Sequence, residues 1–208
     1  MTDTLLLVDI QNDFLPGGAL AVADGDAVVP VANRLMPRFS TVVASQDWHP
    51  ADHLSFAEQH AGFKPFQVTE VDGLEQILWP AHCVQGSPGA SFASALNVAH
   101  IDHVVRKGEN RRIDSYSAFY DNDHRQQTDL ADVLRRLGTD RLFVMGLAAD
   151  VCVKFTVMDA LAEGFPVTLI VDGTRGVDMH EGDTQAAIQA MRAAGAECVD
   201  SAVLGAHG

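Results

Sequence analysis

Short unbroken apolar runs alternate along this chain with longer segments in which apolar residues return every three or four positions. Residues 5–8, 41–44, 104–105 with their flanks, 142–145 and 167–171 read as strands, each buried on both faces. Between them, residues 26–39, 129–137, 151–163 and 184–194 carry helical spacing, the third segment closed by Gly164 and the fourth by Gly195. A last short strand falls near residues 197–199. Strands alternating with helices need crossover connections, so the pattern predicts an α/β fold of three layers, α/β/α, around a six-stranded, mainly parallel sheet. Residues 47–94 break the rhythm with glycine, proline, histidine and aromatic residues, which predicts an irregular excursion over one end of the sheet.

Composition narrows this picture without changing it. With 208 residues, 47% of them hydrophobic, and no Ser/Gly/Pro-rich or charge-run linker, residues 1–208 are expected to form a single domain. A formal net charge of −14 with no basic cluster argues against nucleic acid or an anionic membrane surface as partner, and leaves a small-molecule substrate open. Cys83, Cys152 and Cys198 are too few and too scattered for a disulfide framework, and no CxxC pair is present. The N-terminal segment lacks a basic n-region, and its apolar run is far shorter than the roughly 20 residues that span a bilayer. A reducing, cytoplasmic setting is the expectation. Association into a homo-oligomer stays open.

The candidate chemistry gathers at strand ends. In VMGLAADVCV, residues 144–153, an apolar run stops at Gly146 and Cys152 follows six residues later, at the expected start of a helix. Unpaired N–H groups and the helix dipole at such a place favour a thiolate, which is a competent nucleophile. Taken alone, a free cysteine is more often a small buried hydrophobe. Asp9 and Lys107 change that balance, because both also stand at carboxyl ends of expected strands, where open α/β sheets bind ligands. A carboxylate can take the thiol proton and return it to a leaving group, and an ammonium can keep that carboxylate charged. Asp9, Lys107 and Cys152 thus form a candidate hydrolytic triad.

A second constellation is Asp47-Trp48-His49, with His53 four residues on and His82 in WPAHC. One carboxylate and two or three imidazoles suit one divalent ion, zinc first, with iron or manganese accepted by the same donors. Pro50 restricts His49 to extended conformations, which turns Asp47 and His49 to the same side. Asp47, His49 and His82 are the expected ligands and His53 a fourth. The other six histidines, among them His60, His100 and His124, read as ordinary surface residues.

Five blocks of sequence carry a family resemblance. LLLVDIQNDFLPGGALAV (residues 5–22), SQDWHPADHLSF (45–56), WPAHCVQGSPGA (79–90), RKGENRRIDSYSAFYDN (106–122) and MGLAADVCVKFTVMDAL (145–161) resemble, in order, nicotinamidases of the isochorismatase-like cysteine hydrolase superfamily. The resemblance implies an isochorismatase-like hydrolase fold and hydrolysis of nicotinamide, and of pyrazinamide, through a Cys thioester. It gives Asp9 the part of base and acid, Lys107 electrostatic support, and Cys152 the attack. It also implies that the metal at Asp47, His49 and His82 holds the pyridine nitrogen, with His53 where some members add a ligand. Phe14, Trp79 and Tyr116 match positions lining the ring pocket. A cis peptide is implied between Leu147 and Ala148, with the Ala148 and Cys152 amides as oxyanion hole. One departure stands out: members commonly have Thr where this chain has Ala149, so a hydroxyl is missing there.

Three other readings remain at this stage. One is a sister cysteine amidase acting on a carbamoyl or ureido compound. Another is a metallohydrolase whose metal-bound hydroxide attacks while Cys152 stands by. The third is a non-enzymatic metal-binding relative. Residues 177–208 carry the weakest resemblance and are assigned no chemistry.

Overall fold

A computed structural model describes residues 2–204. Its main sheet has six strands, β1 (Asp3–Val8), β2 (Thr41–Asp47), β5 (His103–Lys107), β6 (Arg141–Leu147), β7 (Val167–Arg175) and β8 (Glu197–Val199), in the order β5-β2-β1-β6-β7-β8. All five pairings are parallel. The expected architecture is therefore present. Alternation within β1 divides the core: Leu5 and Leu7 face one layer, Leu6 and Val8 the other. The first layer is closed by α1 (Val28–Leu35), whose Val28, Val29, Ala32 and Leu35 are buried. The second is closed by α2 (Leu130–Arg136), α3 (Lys154–Ala162) and α4 (Asp183–Ala193). A short α5 (Ser201–Leu204) ends the described chain.

Three local differences from the sequence reading have physical causes. The first helical segment is α-helical only over Val28–Leu35, with 3₁₀ turns at Gly25–Ala27 and Met36–Arg38. Pro37 lacks the N–H that would continue the helix. Second, β5 is an edge strand with His103, Val104 and Arg106 exposed, rather than a strand buried on both faces. Third, the excursion contains a two-stranded antiparallel hairpin, β3 (Val68–Val71) and β4 (Leu74–Ile77). Its VTEV and LEQI strands are too short and polar to register as apolar runs. No described helix is long and apolar enough to cross a membrane.

The strand order reverses between β1 and β6. Both neighbours of that switch point supply site residues from their carboxyl ends, Asp9 after β1 and Cys152 after β6.

Candidate active site

Asp9 ends β1 in a left-handed conformation, φ 47°, which turns the chain away from the sheet. Asp47 and Lys107 are the last residues of β2 and β5 and lie directly opposite each other in register. Their side chains converge under the turn after β6. Lys107 Nζ sits 2.9 Å from Asp9 Oδ2, 3.1 Å from Asp47 Oδ1 and 3.5 Å from Cys152 Sγ, and donates to the Ser115 carbonyl at 2.8 Å. Asp9 Oδ1 accepts a hydrogen bond from Ser45 Oγ at 2.7 Å, whereas Oδ2, although close to the ammonium, has no hydrogen bond of good geometry. A buried acceptor of this kind is rare and is left available for a proton.

Cys152 lies in a single π-helical turn, Ala149–Val153, that precedes α3, so it is not at the first turn of an α-helix as the sequence suggested. Burial pushes its thiol well above the usual thiol range; Lys107 opposes this, and the Asp9 and Asp47 carboxylates add to it. The expected thiolate is thus replaced at rest by a thiol. Burial also raises Asp9, with Lys107 pulling down and Asp47 pushing up. Burial alone would discharge Lys107, but Asp47 and Asp9 hold its ammonium well above the ordinary lysine range. Carboxylate and thiol therefore share a buried pocket with the Lys107 ammonium. The Leu147–Ala148 peptide is cis, at the position the resemblance implies, and the Ala148 carbonyl accepts the Val151 and Val153 N–H groups at 3.1 and 3.0 Å. Ala149 is fully buried.

The excursion brings His82 to Asp47 and His49 through backbone pairing. The His49 N–H donates to the Cys83 carbonyl at 3.0 Å, and the Gln85 N–H to the His49 carbonyl at 2.8 Å. Asp47 Oδ2 then lies 3.1 Å from His49 Nε2 and 3.5 Å from His82 Nε2. His49 Nδ1 faces the Gly108 carbonyl at 2.9 Å and His82 Nδ1 the Pro80 carbonyl at 2.8 Å, so both Nδ1 atoms donate and both Nε2 atoms face Asp47. His49 Nε2 is buried without a hydrogen-bond partner. One carboxylate oxygen and two imidazole nitrogens within 4.8 Å of one another, one of those nitrogens orphaned, fit a divalent cation.

His53 is close by but differently disposed. Its Nδ1 lies 2.7 Å from the Ser55 hydroxyl and 3.1 Å from the Ser55 N–H, while its Nε2 is buried without a hydrogen-bond partner. It groups with His49 and Asp114 rather than with the Asp47, His49 and His82 trio. Burial lowers His53. Burial would lower His49 too, but Asp47 and Asp114 raise it to about 9. Against burial, His49 and Lys107 hold Asp47 well below the usual carboxylate range.

Phe14, Trp79 and Tyr116 line one pocket with Asp47, His82 and Cys152. Trp79 Nε1 donates to Tyr116 Oη at 3.3 Å, and Phe14 meets the His82 ring edge-on at 5.5 Å. The open space is about 20 Å³, room for about one water. Sequence reasoning missed Ser45, Asp114 and Gln11. Gln11 Nε2 donates to the Asp47 and Ala90 carbonyls and its Oε1 accepts the Asp47 N–H, all at 2.8 Å, extending the β1 pairing past the Asp9 turn. Their contacts with Asp9, Asp47 and His49 are with residues distant in sequence.

This architecture is that of the isochorismatase-like hydrolases, and the chain belongs to the isochorismatase domain family, which matches residues 3–203. The chain is 55% identical over 196 residues to the nicotinamidase of Escherichia coli strain K12, with 92% of each chain covered. The solved nicotinamidase/pyrazinamidase of Acinetobacter baumanii superposes with a TM-score of 0.94 at 43% identity, covering 98% of each chain. A pyrazinamidase from Pyrococcus horikoshii, solved in complex with zinc, superposes with a TM-score of 0.79 at 34% identity, covering 96% of this chain and 99% of that one.

Proposed function

We propose that this chain is a nicotinamidase, an amidohydrolase that converts nicotinamide, and pyrazinamide, to the carboxylate and ammonia through a thioester on Cys152. The observation that carries the reading is the buried cluster in which the Lys107 ammonium lies 2.9 Å from Asp9 Oδ2 and 3.5 Å from the Cys152 thiol. Asp9 takes the Cys152 proton, the sulfur bonds to the carboxamide carbon, and the carbonyl electron pair moves to oxygen. The Ala148 and Cys152 amides receive that oxyanion. Asp9 returns its proton to the nitrogen as the C–N bond breaks and ammonia leaves. Water then adds to the thioester with Asp9 as base, the C–S bond breaks, and the sulfur regains a proton as the acid departs. Lys107 keeps its charge throughout and balances the negative charge passing between Asp9, Cys152 and the oxyanion.

Asp47, His49 and His82 would hold a divalent ion, zinc being the first choice for this donor set, with His53 as a further nitrogen next to His49. Such an ion supplies a Lewis-acidic anchor for a ring nitrogen. Phe14, Trp79 and Tyr116 supply apolar walls for the ring. The substrate is a small molecule, and the reading is of a cytoplasmic single-domain enzyme. A substrate panel tests this: ammonia release from nicotinamide and pyrazinamide, against carbamoyl and ureido compounds, is expected for the two ring amides. Turnover of the ureido compounds alone would assign the site to the sister amidases instead.

A further inference from the structure

Residues 177–182, between β7 and α4, were assigned no chemistry from sequence, yet Val177 forms part of the pocket wall. Val177 lines the same cavity as Cys152, and with Val151 it packs against the core layer under α1. One side chain holds its backbone: Asp150, two residues before Cys152, accepts the Val177 N–H on Oδ1 at 2.9 Å and the Asp178 N–H on Oδ2 at 2.8 Å. Asp178, at φ 48°, in turn accepts the Thr184 N–H and hydroxyl at 2.8 Å each, tying the segment to the first turn of α4. Gly176 is required by this closeness, since a Cβ there would strike Thr184 Oγ1 and lie 3.1 Å from Asp150 Cγ. The turn that carries the thiol and the wall that faces it are therefore joined through one carboxylate.

Resting on the nicotinamidase reading, we infer that Val177 sets the size of the acyl group that reaches Cys152, and that Asp150 is the positioning residue that holds Val177 there. Phe14 and Trp79 line the same cavity and are buried, with 5% and 3% of their surface exposed. The Val177 wall is half-buried and secured by hydrogen bonds instead. With room for about one water between the walls, a methyl more or less at Val177 decides which rings fit. Discrimination of this kind in an apolar pocket is worth about 10-fold or more per methylene. Asp150→Asn leaves a single carbonyl oxygen where two N–H groups now find two acceptors.

Two readouts test this in wild type, Val177→Ala, Val177→Leu and Asp150→Asn. One is kcat/KM for nicotinamide and for a bulkier ring-substituted nicotinamide. The other is the rate of Cys152 alkylation by iodoacetamide and by N-phenylmaleimide, followed by peptide mass spectrometry. Val177→Ala should raise the bulky-to-small ratio about 10-fold in both, and Val177→Leu should lower it. Asp150→Asn should raise the ratio, and raise KM more than it lowers kcat. Ratios unmoved in all three variants, with both substrates slowed in proportion, would overturn the inference. Alkylation needs no turnover, so it decides the wall's role even if wild type releases no ammonia from nicotinamide: shifted ratios uphold it and unchanged ratios overturn it.

Discussion

Asp9 Oδ2 lies 2.9 Å from Lys107 Nζ with both side chains buried, and Lys107 Nζ lies 3.5 Å from Cys152 Sγ. Pairing with the ammonium favours the charged carboxylate, and its oxygens keep further lone pairs for the thiol proton, which is the arrangement a base beside a nucleophile needs. The cost appears in the ionisation of Asp9, raised by burial and by Asp47.

That cost sets a stability prediction. Because the folded carboxyl titrates above its unfolded value, the fold retains a proton that the unfolded chain has lost, and stability falls as pH rises through the folded value. Asp9→Asn removes this loss. The variant should be at least as stable as wild type at neutral pH in denaturant titrations, with its margin shrinking in acid, while kcat drops about 10²–10⁴-fold. Asp47 is held low by His49 and Lys107 against burial, so its contribution is present above the unfolded carboxyl value and lost in acid. Asp47→Asn should therefore destabilise the fold at neutral pH, with the loss shrinking in acid, because His49 and Lys107 together favour the charged Asp47 carboxylate by more than burial opposes it. If the two substitutions shift stability in the same direction, the charge assignment is wrong.

Ser45 aims the base. Its hydroxyl donates to Asp9 Oδ1 at 2.7 Å from the strand beside β1. Removing it in Ser45→Ala should lower kcat about 10-fold, the scale of one hydrogen bond to a charged group, with little change in KM. A change confined to KM would place Ser45 with substrate binding rather than with the base.

The metal trio depends on Gly108. Its carbonyl receives His49 Nδ1, and at φ 67° a Cβ would press on the His49 ring. Gly108→Ala should weaken zinc binding to the metal-free protein about 10–100-fold in direct titration, because the support behind a ligand governs its affinity. Chelation should lower nicotinamide turnover in wild type, and restored zinc should recover it. Unchanged zinc affinity in Gly108→Ala would remove His49 from the ligand set.

Much of this was legible before any coordinates. The strands declared themselves because parallel strands covered on both faces read as unbroken apolar runs, and Asp9, Asp47, Lys107 and Cys152 stood out as polar residues at their ends. What stayed hidden depends on partners distant in sequence. Ser45, Gln11 and Asp114 have no local pattern; their meaning lies in contacts with Asp9, Asp47 and His49 across the sheet edge. Periodicity showed a helix near Cys152 but could not distinguish an α-turn from the π-turn at Ala149–Val153. Nor could the charge of the thiol be read from its place in the chain. It is set by burial and by two carboxylates contributed from other strands.

The most direct measurement is ammonia release from nicotinamide by wild type and by Cys152→Ala, each loaded with zinc to the same content. Wild type should release ammonia, and the variant should be slower by on the order of 10⁴-fold or more while keeping its fold and its metal. Normal ammonia release by Cys152→Ala would contradict covalent catalysis at Cys152.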